Sequence, residues 1–341
     1  MSKVITGYAW RAVAAFAATV AASGTAWAQS DNYYTGKRVS VVIGYAAGGT
    51  ADADGRLVAQ FIAKHIPGHP TVIAQNQPGA GGLASINTAY NVAAPDGLNI
   101  YQLGSGHYLH QLAGSSVVKF DISKMPVLGS WTRSTYALVV RTDKFKSIED
   151  IRKSSTPPAI GTQGLGTGTY LFSLVWQNAL GIKLKMVHGY ESAEQDLAIE
   201  RGEIDGRTNT VESIIHSRPT WLSSGFAKVL AVSGNERDAL IPDVPTVREL
   251  VPNPGALFET INEGLSAARP YVLPPATPTE RVATLRRAWN DMLNDQEFVA
   301  ALEKRKFKFL PVKGEELEAF YRRVIADTPT EVIDILKANF K

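Results

Sequence analysis

Short β-branched runs alternate with segments of helical apolar spacing through the first third of the chain. The run 39–45 predicts a strand, and apolar residues three and four positions apart predict a helix over 52–65. The same reasoning predicts a strand, a helix and a strand over 71–74, 83–93 and 98–103. This order is typical of a parallel sheet with helices on its faces, so we predict a βαβαβ unit.

A second alternation of the same kind begins near Trp131. Its predicted strands are 136–141, 159–161, 185–188 and 204–208, and its predicted helices are 148–153, 170–180 and a segment that contains Ala193, Leu197 and Ile199. The sequence therefore predicts a second α/β unit of similar plan.

The chain is predicted to be helical from Pro274 onward. The first of these helices has one apolar face, formed by Val282, Leu285, Trp289 and Leu293. Three more helices are predicted near 297–304, 315–326 and 331–339. We expect them to pack on the first unit, after rigid proline-rich connections at 241–245 and 251–254.

The first 28 residues have the pattern of a secretory signal. Lys3 and Arg11 supply positive charge, residues 12–22 are apolar, and Ala26-Trp27-Ala28 is a small-x-small cleavage site. A membrane anchor needs about twenty unbroken apolar residues, and this run ends too early. We expect export with cleavage after Ala28, so that the mature chain starts at Gln29.

Composition narrows the classes of function. Without the signal about 313 residues remain, which predicts two domains. The formal net charge of +3 falls to about +1 when two basic residues leave with the signal, so nothing indicates a nucleic-acid partner. The chain has no cysteine, which excludes disulfides, thiolate catalysis and cysteine metal sites.

Two glycine-rich loops follow the first two predicted strands. Glycine lets backbone N–H groups approach an anion at a helix start. We predict that Gly48, Gly49 and Thr50 present donors to a carboxylate, while Asp52 caps the helix, orders water or meets a ligand donor. In the second loop we predict ligand contacts from Gly79 and Gly81. Ordinary structural turns are the alternative at both loops.

Further donors follow later strands. His107 could donate to a ligand oxygen, although a lone histidine is more often packed or on the surface. In the second unit, backbone and hydroxyl donors at Gly164, Gly166, Thr167 and Thr169 predict an opposing pincer. A dinucleotide site is disfavoured because the third glycine of that fingerprint and a ribose-binding acid are missing.

These motifs, in this order, resemble the Bug family, the extracytoplasmic solute receptors of tripartite tricarboxylate transporters. The resemblance covers nearly the whole mature chain. It rests on the sequence segments Gly48–Asp52 with Arg56, Asn76–Gly82, Ala94–Gly97, His107, Gly164–Thr167, Gly189-Tyr190, Gly202–Asp205 and Ile241–Val247.

The resemblance implies the α/β fold of a type II periplasmic binding protein, in which two lobes close on a ligand between them. We expect lobe 1 to comprise 29–130 and 234–341, and lobe 2 to comprise 131–233. It also implies a monomeric periplasmic receptor, without cofactor or metal, that passes a small carboxylate to membrane permease subunits. The ligand would be a dicarboxylate, a tricarboxylate or an aromatic acid. A ligand sensor that feeds a signalling system is the alternative.

The chain departs from the family pattern at several positions. Arg207 lies where the family usually has an apolar strand, and a guanidinium suits a bidentate carboxylate. We predict that Arg207 binds the ligand, with an ion pair to Asp205 or a surface acid as the alternative. Asp54, in place of an apolar residue, and Tyr190, followed by Glu191, leave room for an altered ligand.

Other candidate chemistry is weaker. Four aromatic residues near predicted strand ends could line an aromatic-acid pocket, although such residues more often belong to the core: Tyr45, Tyr101, Tyr108 and Trp131. No Gly-x-Ser-x-Gly elbow and no Walker lysine are present, and His107-x-x-His110 lacks a carboxylate partner at ligand spacing. The sequence therefore predicts a receptor rather than an enzyme.

Overall fold

The computed structural model describes residues 33–165, 167–190, 192–266, 269–305 and 307–340. The predicted signal and its cleavage site lie outside the described residues, as do Gly166 and Glu191. Within these ranges the chain builds two sheets with helices around them. We call the part on the six-stranded sheet lobe 1 and the part on the five-stranded sheet lobe 2.

Lobe 1 begins with the predicted βαβαβ unit. Its elements are β1 (Arg38–Ile43), α1 (Thr50–Ile62), β2 (Thr71–Asn76), α2 (Leu83–Asn91) and β3 (Asn99–Gln102). Strand β1 pairs in parallel with both β2 and β3, which confirms the prediction. The unit continues into α3 (His107–Leu112) and β4 (Val127–Ser130).

Lobe 2 follows after a crossing segment, residues 131–135. Its strands are β5 (Tyr136–Arg141), β6 (Ala159–Thr162), β7 (Lys185–His188), β8 (Gly206–Thr210) and β9 (Ala227–Val232). Its helices are α4 (Ile148–Lys153), α5 (Gly168–Leu180), α6 (Ser192–Arg201), α7 (Val211–Ser217) and α8 (Thr220–Ser223). Strand β8 starts two residues later than predicted.

The remaining chain contacts both lobes, because its first two helices lie against α5 of lobe 2 and its two strands pair in the sheet of lobe 1. It forms α9 (Val247–Leu250), α10 (Ala256–Ser266), β10 (Pro270–Val272), α11 (Thr279–Leu293), α12 (Gln296–Lys304), β11 (Val312–Lys313), α13 (Gly314–Asp327) and α14 (Thr330–Asn339). As predicted, α11 packs on α1 and β4 and buries Val282, Leu285 and Trp289, while Leu293 is half-buried. In the described part of the chain, no helix has the length and apolar character that a membrane crossing needs.

The arrangement of the strands in each sheet places loops of both lobes around one cavity. Lobe 1 has the order β11-β4-β10-β3-β1-β2, and lobe 2 has the order β7-β6-β8-β5-β9. In lobe 1 the strands β10 and β11 run antiparallel to their neighbours, so the sheet is mixed. Loops after β1, β3, β6 and β8 face one cavity, as expected for ligand sites beyond the carboxyl ends of strands.

Candidate functional site

A cavity of about 770 Å³ lies between the two lobes. Lobe 1 and the crossing segment contribute Tyr45, Gly49, Gln102, Ser105, Trp131, Arg269, Phe307 and Lys308. Lobe 2 contributes Tyr136, Gln163, Asn209, Thr210, Glu212 and His216. This volume is in the range of small-molecule sites in proteins.

The first glycine loop reaches the cavity, but one of its predicted donors is already engaged. Gly49 lines the cavity and precedes α1, which begins at Thr50. Gly48 adopts a positive φ of 88°, and its N–H donates to Asp52 Oδ2 at 2.9 Å. Asp52 itself does not line the cavity. Its carboxylate therefore binds the loop from the side that faces away from the cavity.

Asp52 is the centre of a small polar network. Its Oδ2 also accepts from Arg56 Nε at 3.0 Å, and its Oδ1 accepts from Asn76 Nδ2 at 2.8 Å. The same Asn76 amide donates to the Tyr45 carbonyl at 3.0 Å. The hydrogen bond from Arg56, followed by the one from Gly48, lowers the pKa of Asp52 to about 2. The network ties the two glycine loops together.

The second glycine loop lies behind the cavity wall rather than in it. Gly79 and Gly81 have positive φ angles of 148° and 63°, and neither lines the cavity. His107 is buried against this loop: its Nε2 lies 3.0 Å from the Gly81 carbonyl, and its Nδ1 accepts from the Gly104 N–H at 3.2 Å. The structure thus places His107 in a packed position that joins β3 to the loop.

The environment of His107 leads to a prediction about pH. Burial lowers the pKa of His107 to about 4, although the Gly81 carbonyl opposes this. In the unfolded chain the imidazole titrates near its ordinary value, so protons favour unfolding between these two values. We expect stability to be complete above about pH 6.5 and to fall by about 2 kcal/mol between pH 7 and pH 5 from this residue alone.

Urea unfolding at both pH values checks this expectation. The variant His107→Gln retains a donor and an acceptor without the titration, so its loss of stability on acidification should be smaller than that of the wild type. His216→Gln, at an exposed histidine, is the matched control and should keep the wild-type difference. An unchanged pH difference in His107→Gln would contradict the prediction.

The opposing loop of lobe 2 is built around Thr167. Its side chain accepts from the Tyr170 N–H at the start of α5, and its hydroxyl donates to the Gly164 carbonyl at 2.6 Å. Thr167 therefore caps a helix. Neither it nor Tyr190 lines the cavity, and the Tyr190 carbonyl accepts from Gln195 at 3.0 Å. The neighbouring Gln163 does line the cavity.

Arg207 lies inside lobe 2 and away from the cavity lining. Its side chain is fully buried, and its NH1 lies 2.9 Å from Oδ1 of the equally buried Asp196. Its NH2 donates to Ser217 Oγ at 3.0 Å. Burial lowers the pKa of Arg207 to about 10, against the attraction of Asp196. The partner is thus an acid on α6, which neither sequence interpretation named.

Asp54 lies beneath the cavity and is fully buried. Its carboxylate accepts hydrogen bonds from Trp131 Nε1, Gln102 Nε2 and the Tyr271 hydroxyl. Burial raises the pKa of Asp54, while Arg269 and these donors oppose the rise. Among the four aromatic candidates, Tyr45 and Trp131 contact the cavity. The other two, Tyr101 and Tyr108, lie in the core.

Four charged side chains of the cavity were missed by the sequence analysis: Arg269, Arg305, Lys308 and Glu212. Arg269 precedes β10 and lies 3.7 Å from Asp54 Oδ2. Lys308 forms an ion pair with Asp238 and lies 3.5 Å from Glu212 Oε1. Burial raises the pKa of Glu212, and Lys308 opposes that rise. The motifs quoted above contain none of these residues. Only Glu212 has any signal in the sequence, because it lies where a strand is followed by a helix.

Comparisons with known proteins agree with one another. A family model described as the tripartite tricarboxylate transporter family receptor matches residues 55–339. A UPF0065 protein from the ttuE-ttuC' intergenic region of Agrobacterium vitis is 30% identical over 232 residues, which are 65% of this chain and 64% of that protein. A UPF0065 protein from the gbd 5' region of Cupriavidus necator is 27% identical over 308 residues, 86% of each chain.

Solved structures share the fold. A TctC solute-binding protein from Polaromonas has a TM-score of 0.68 at 23% identity and covers 89% of this chain and 99% of its own. MatC from Rhodopseudomonas palustris with bound malate has a TM-score of 0.65 at 21% identity, with coverage of 89% and 99%. Rpa4515 of R. palustris with adipate has a TM-score of 0.67 at 18% identity and covers 89% of this chain and 97% of its own. These likenesses confirm the predicted class, a two-lobe α/β periplasmic binding fold.

Proposed function

The chain belongs to the family of tripartite tricarboxylate transporter receptors, and we propose that it captures a small organic acid between its lobes and delivers it to membrane permease subunits of such a transporter. The observation that carries the proposal is Arg269, a guanidinium largely withdrawn from solvent in the wall of the cavity between the lobes. A cation in this position favours an anionic ligand. Structures of similar fold hold malate and adipate, both carboxylates.

The proposed mechanism is closure of the two lobes around the acid. Lobe 1 would comprise 29–130 and 234–341, and lobe 2 would comprise 131–233. The exposed loop 46–49 and the loop that carries exposed Leu165 belong to different lobes and would approach one another on closure. A ligand stabilises the closed form only through its greater affinity for that form, so contacts from both lobes are needed.

We further propose that the receptor works in the periplasm as a monomer, after cleavage behind Ala28. The proposal includes no reaction on the bound acid and no cofactor. Recovery of the acid chemically unchanged after long incubation would support a receptor, whereas turnover would indicate a hydrolase. Loss of uptake of that acid on deletion of the gene would support delivery to a permease, whereas intact uptake would favour a ligand sensor.

Stabilisation by an acid tests the proposal directly. Protein that starts at Gln29, refolded to remove bound ligand, should gain about 2.7 kcal/mol of unfolding free energy from an acid at 100 times its Kd. Thermal shift against monocarboxylic, dicarboxylic, tricarboxylic and aromatic acids measures this, with the corresponding neutral amides as matched controls. If no acid shifts the melting temperature, or if the amides act equally well, a carboxylate receptor is the wrong interpretation.

A further inference from the structure

We propose that Arg269 binds the single carboxylate of an aromatic monocarboxylic acid whose ring carries a hydroxyl group, and that Glu212 excludes ligands with a second carboxylate. This inference rests on the proposed function, because it names the class of acid that the same cavity takes. Both side chains line the cavity. They lie in different lobes, so a bound acid would join them.

Arg269 is held in place while its hydrogen-bonding groups stay available. Its side chain is 19% exposed, and its guanidinium carbon lies 5.7 Å from the centre of the Trp131 ring and 5.6 Å from that of Phe307. Its backbone N–H donates to Ser130 Oγ at 3.2 Å. Contacts with these two aromatic rings restrict the guanidinium without occupying its N–H groups. The position is therefore preorganised for an incoming anion.

The charge of Arg269 is only partly balanced by the protein. The nearest acid, Asp54, lies 3.7 Å away, which is too long for a hydrogen bond. The Asp54 oxygens are instead occupied by donors from Gln102, Trp131 and Tyr271. Arg269 Nε is buried without a hydrogen-bond partner among the described residues. A ligand carboxylate would satisfy a guanidinium that the fold leaves incompletely paired.

The other cations of the cavity are less suited to a second carboxylate. Lys308 already contacts Asp238 and Glu212. Arg305 is exposed, and its NH1 donates to the Ala301 carbonyl at 3.1 Å. An exposed charge at the rim is screened by solvent and contributes little affinity. The single guanidinium that is largely withdrawn from solvent points to one ligand carboxylate.

Aromatic side chains surround the space next to Arg269. Half-buried Tyr45, Tyr136 and Phe307 all line the cavity. Burial raises the pKa of both tyrosines, and the positive charge of Arg269 opposes the rise in each. Tyr136 is fixed by stacking on Phe172 at 4.4 Å between ring centres. A planar aromatic ligand can stack on such rings with a small loss of freedom.

Glu212 sets the character of the opposite wall. Its side chain is 12% exposed, and its Oε2 is buried without a hydrogen-bond partner in the described part of the chain. A second ligand carboxylate would meet this acid and be repelled, whereas a ring hydroxyl could donate to it. A buried acceptor left without a donor disfavours ligands that lack one. The wall therefore favours a hydroxylated monoacid over a diacid.

The affinities of five probes test the class of ligand. We expect 4-hydroxybenzoate to bind the refolded wild-type protein at least about tenfold more tightly than benzoate, terephthalate, succinate or citrate in isothermal titration, as one good hydrogen bond to a charged group allows. Tighter binding of succinate or citrate would overturn the inference and leave the carboxylate receptor intact. Failure of every acid, including the wider thermal-shift set, would instead overturn the proposed function.

Variants test the two residues separately. Arg269→Gln should weaken 4-hydroxybenzoate by about 100-fold, and Arg133→Gln, with the same change at a partly exposed arginine outside the cavity lining, by less than about twofold. Glu212→Gln should raise the affinity for terephthalate relative to 4-hydroxybenzoate by at least about tenfold. Unchanged binding in Arg269→Gln, or an unchanged ratio in Glu212→Gln, overturns the inference. Should Arg269→Gln fail to fold, the Glu212→Gln ratio and the wild-type affinities decide it.

Discussion

Replacement of Arg207 by alanine is expected to lower the free energy of unfolding by about 3–5 kcal/mol, without weakening ligand binding by the folded protein. The variant removes the guanidinium that lies 2.9 Å from Asp196 Oδ1, and both side chains are fully buried. A buried carboxylate that loses its partner keeps the cost of its desolvation and loses the compensating attraction. The loss therefore exceeds that of a surface ion pair several-fold.

The surroundings of Asp196 reduce this loss only in part. Arg218 NH1 lies 3.6 Å from Asp196 Oδ2, but the same side chain donates to Glu200 at 2.7 Å. Alanine also removes the contact of the Arg207 guanidinium with the Trp221 ring, 5.9 Å from its centre, and the hydrogen bond to Ser217. No neighbour described here can replace all three interactions, so we expect a large effect.

Urea unfolding measures the stability, and titration of 4-hydroxybenzoate below the transition measures binding. Arg201→Ala, at an exposed arginine 3.8 Å from Glu203, is the matched control and should cost less than about 0.5 kcal/mol. The double variant Arg207→Met with Asp196→Leu removes both buried charges and should recover most of the loss. Weaker binding with unchanged stability would return Arg207 to the ligand site.

Local patterns predicted the start of each lobe well. The alternation of strand and helix through β1, α1 and β2 lies within a few dozen residues, and the parallel pairing of β1 with β2 and β3 follows from it. Strand β10 was missed because it has three residues and pairs with partners more than a hundred positions away, such as Tyr271 with Gln102 and Gly129. Such pairing leaves no local signal in the sequence.

The candidate site was predicted in outline but not in its side chains. The first glycine loop reaches the cavity at Gly49, yet the Gly48 N–H is taken by Asp52. The sequence shows that Asp52 lies four residues after Gly48, but it does not show in which direction the Asp52 side chain points. No local sequence signal distinguishes Arg207 from Arg269. The contact with Asp196 places Arg207 in a core ion pair, whereas Arg269 lies in the cavity wall near Asp54.

Replacement of Asp54 by alanine should also lower the free energy of unfolding by about 3–5 kcal/mol. The change leaves the Trp131 indole N–H without its acceptor and deprives the Tyr271 hydroxyl of its partner 2.9 Å away. Gln102 Nε2 keeps the Ala51 carbonyl at 3.1 Å, so its loss is smaller. Each buried donor without a partner costs about 1–3 kcal/mol, and the cavity left by the carboxylate adds to the loss.

Asp54→Asn separates hydrogen bonding from charge. The amide keeps one acceptor oxygen, so we expect a loss of about 1–2 kcal/mol at pH 7. The direction of the pKa shift adds a second readout. Because burial raises the pKa of Asp54, its ionisation in the folded protein costs stability as pH rises above the ordinary value of an aspartic acid. That cost is absent in the asparagine variant, whose loss relative to wild type should therefore shrink as pH rises.

Urea unfolding at pH 5 and pH 8 measures both effects. Asp291→Ala, at an exposed position on α11, is the control and should change stability by less than about 0.5 kcal/mol at either pH. If Asp54→Ala had the wild-type free energy of unfolding, the hydrogen bonds from the three donors to the carboxylate would contribute no net stability. The acid beneath Arg269 would then act through charge alone, and its removal should tighten carboxylate binding because the guanidinium would lose its nearest competing anion.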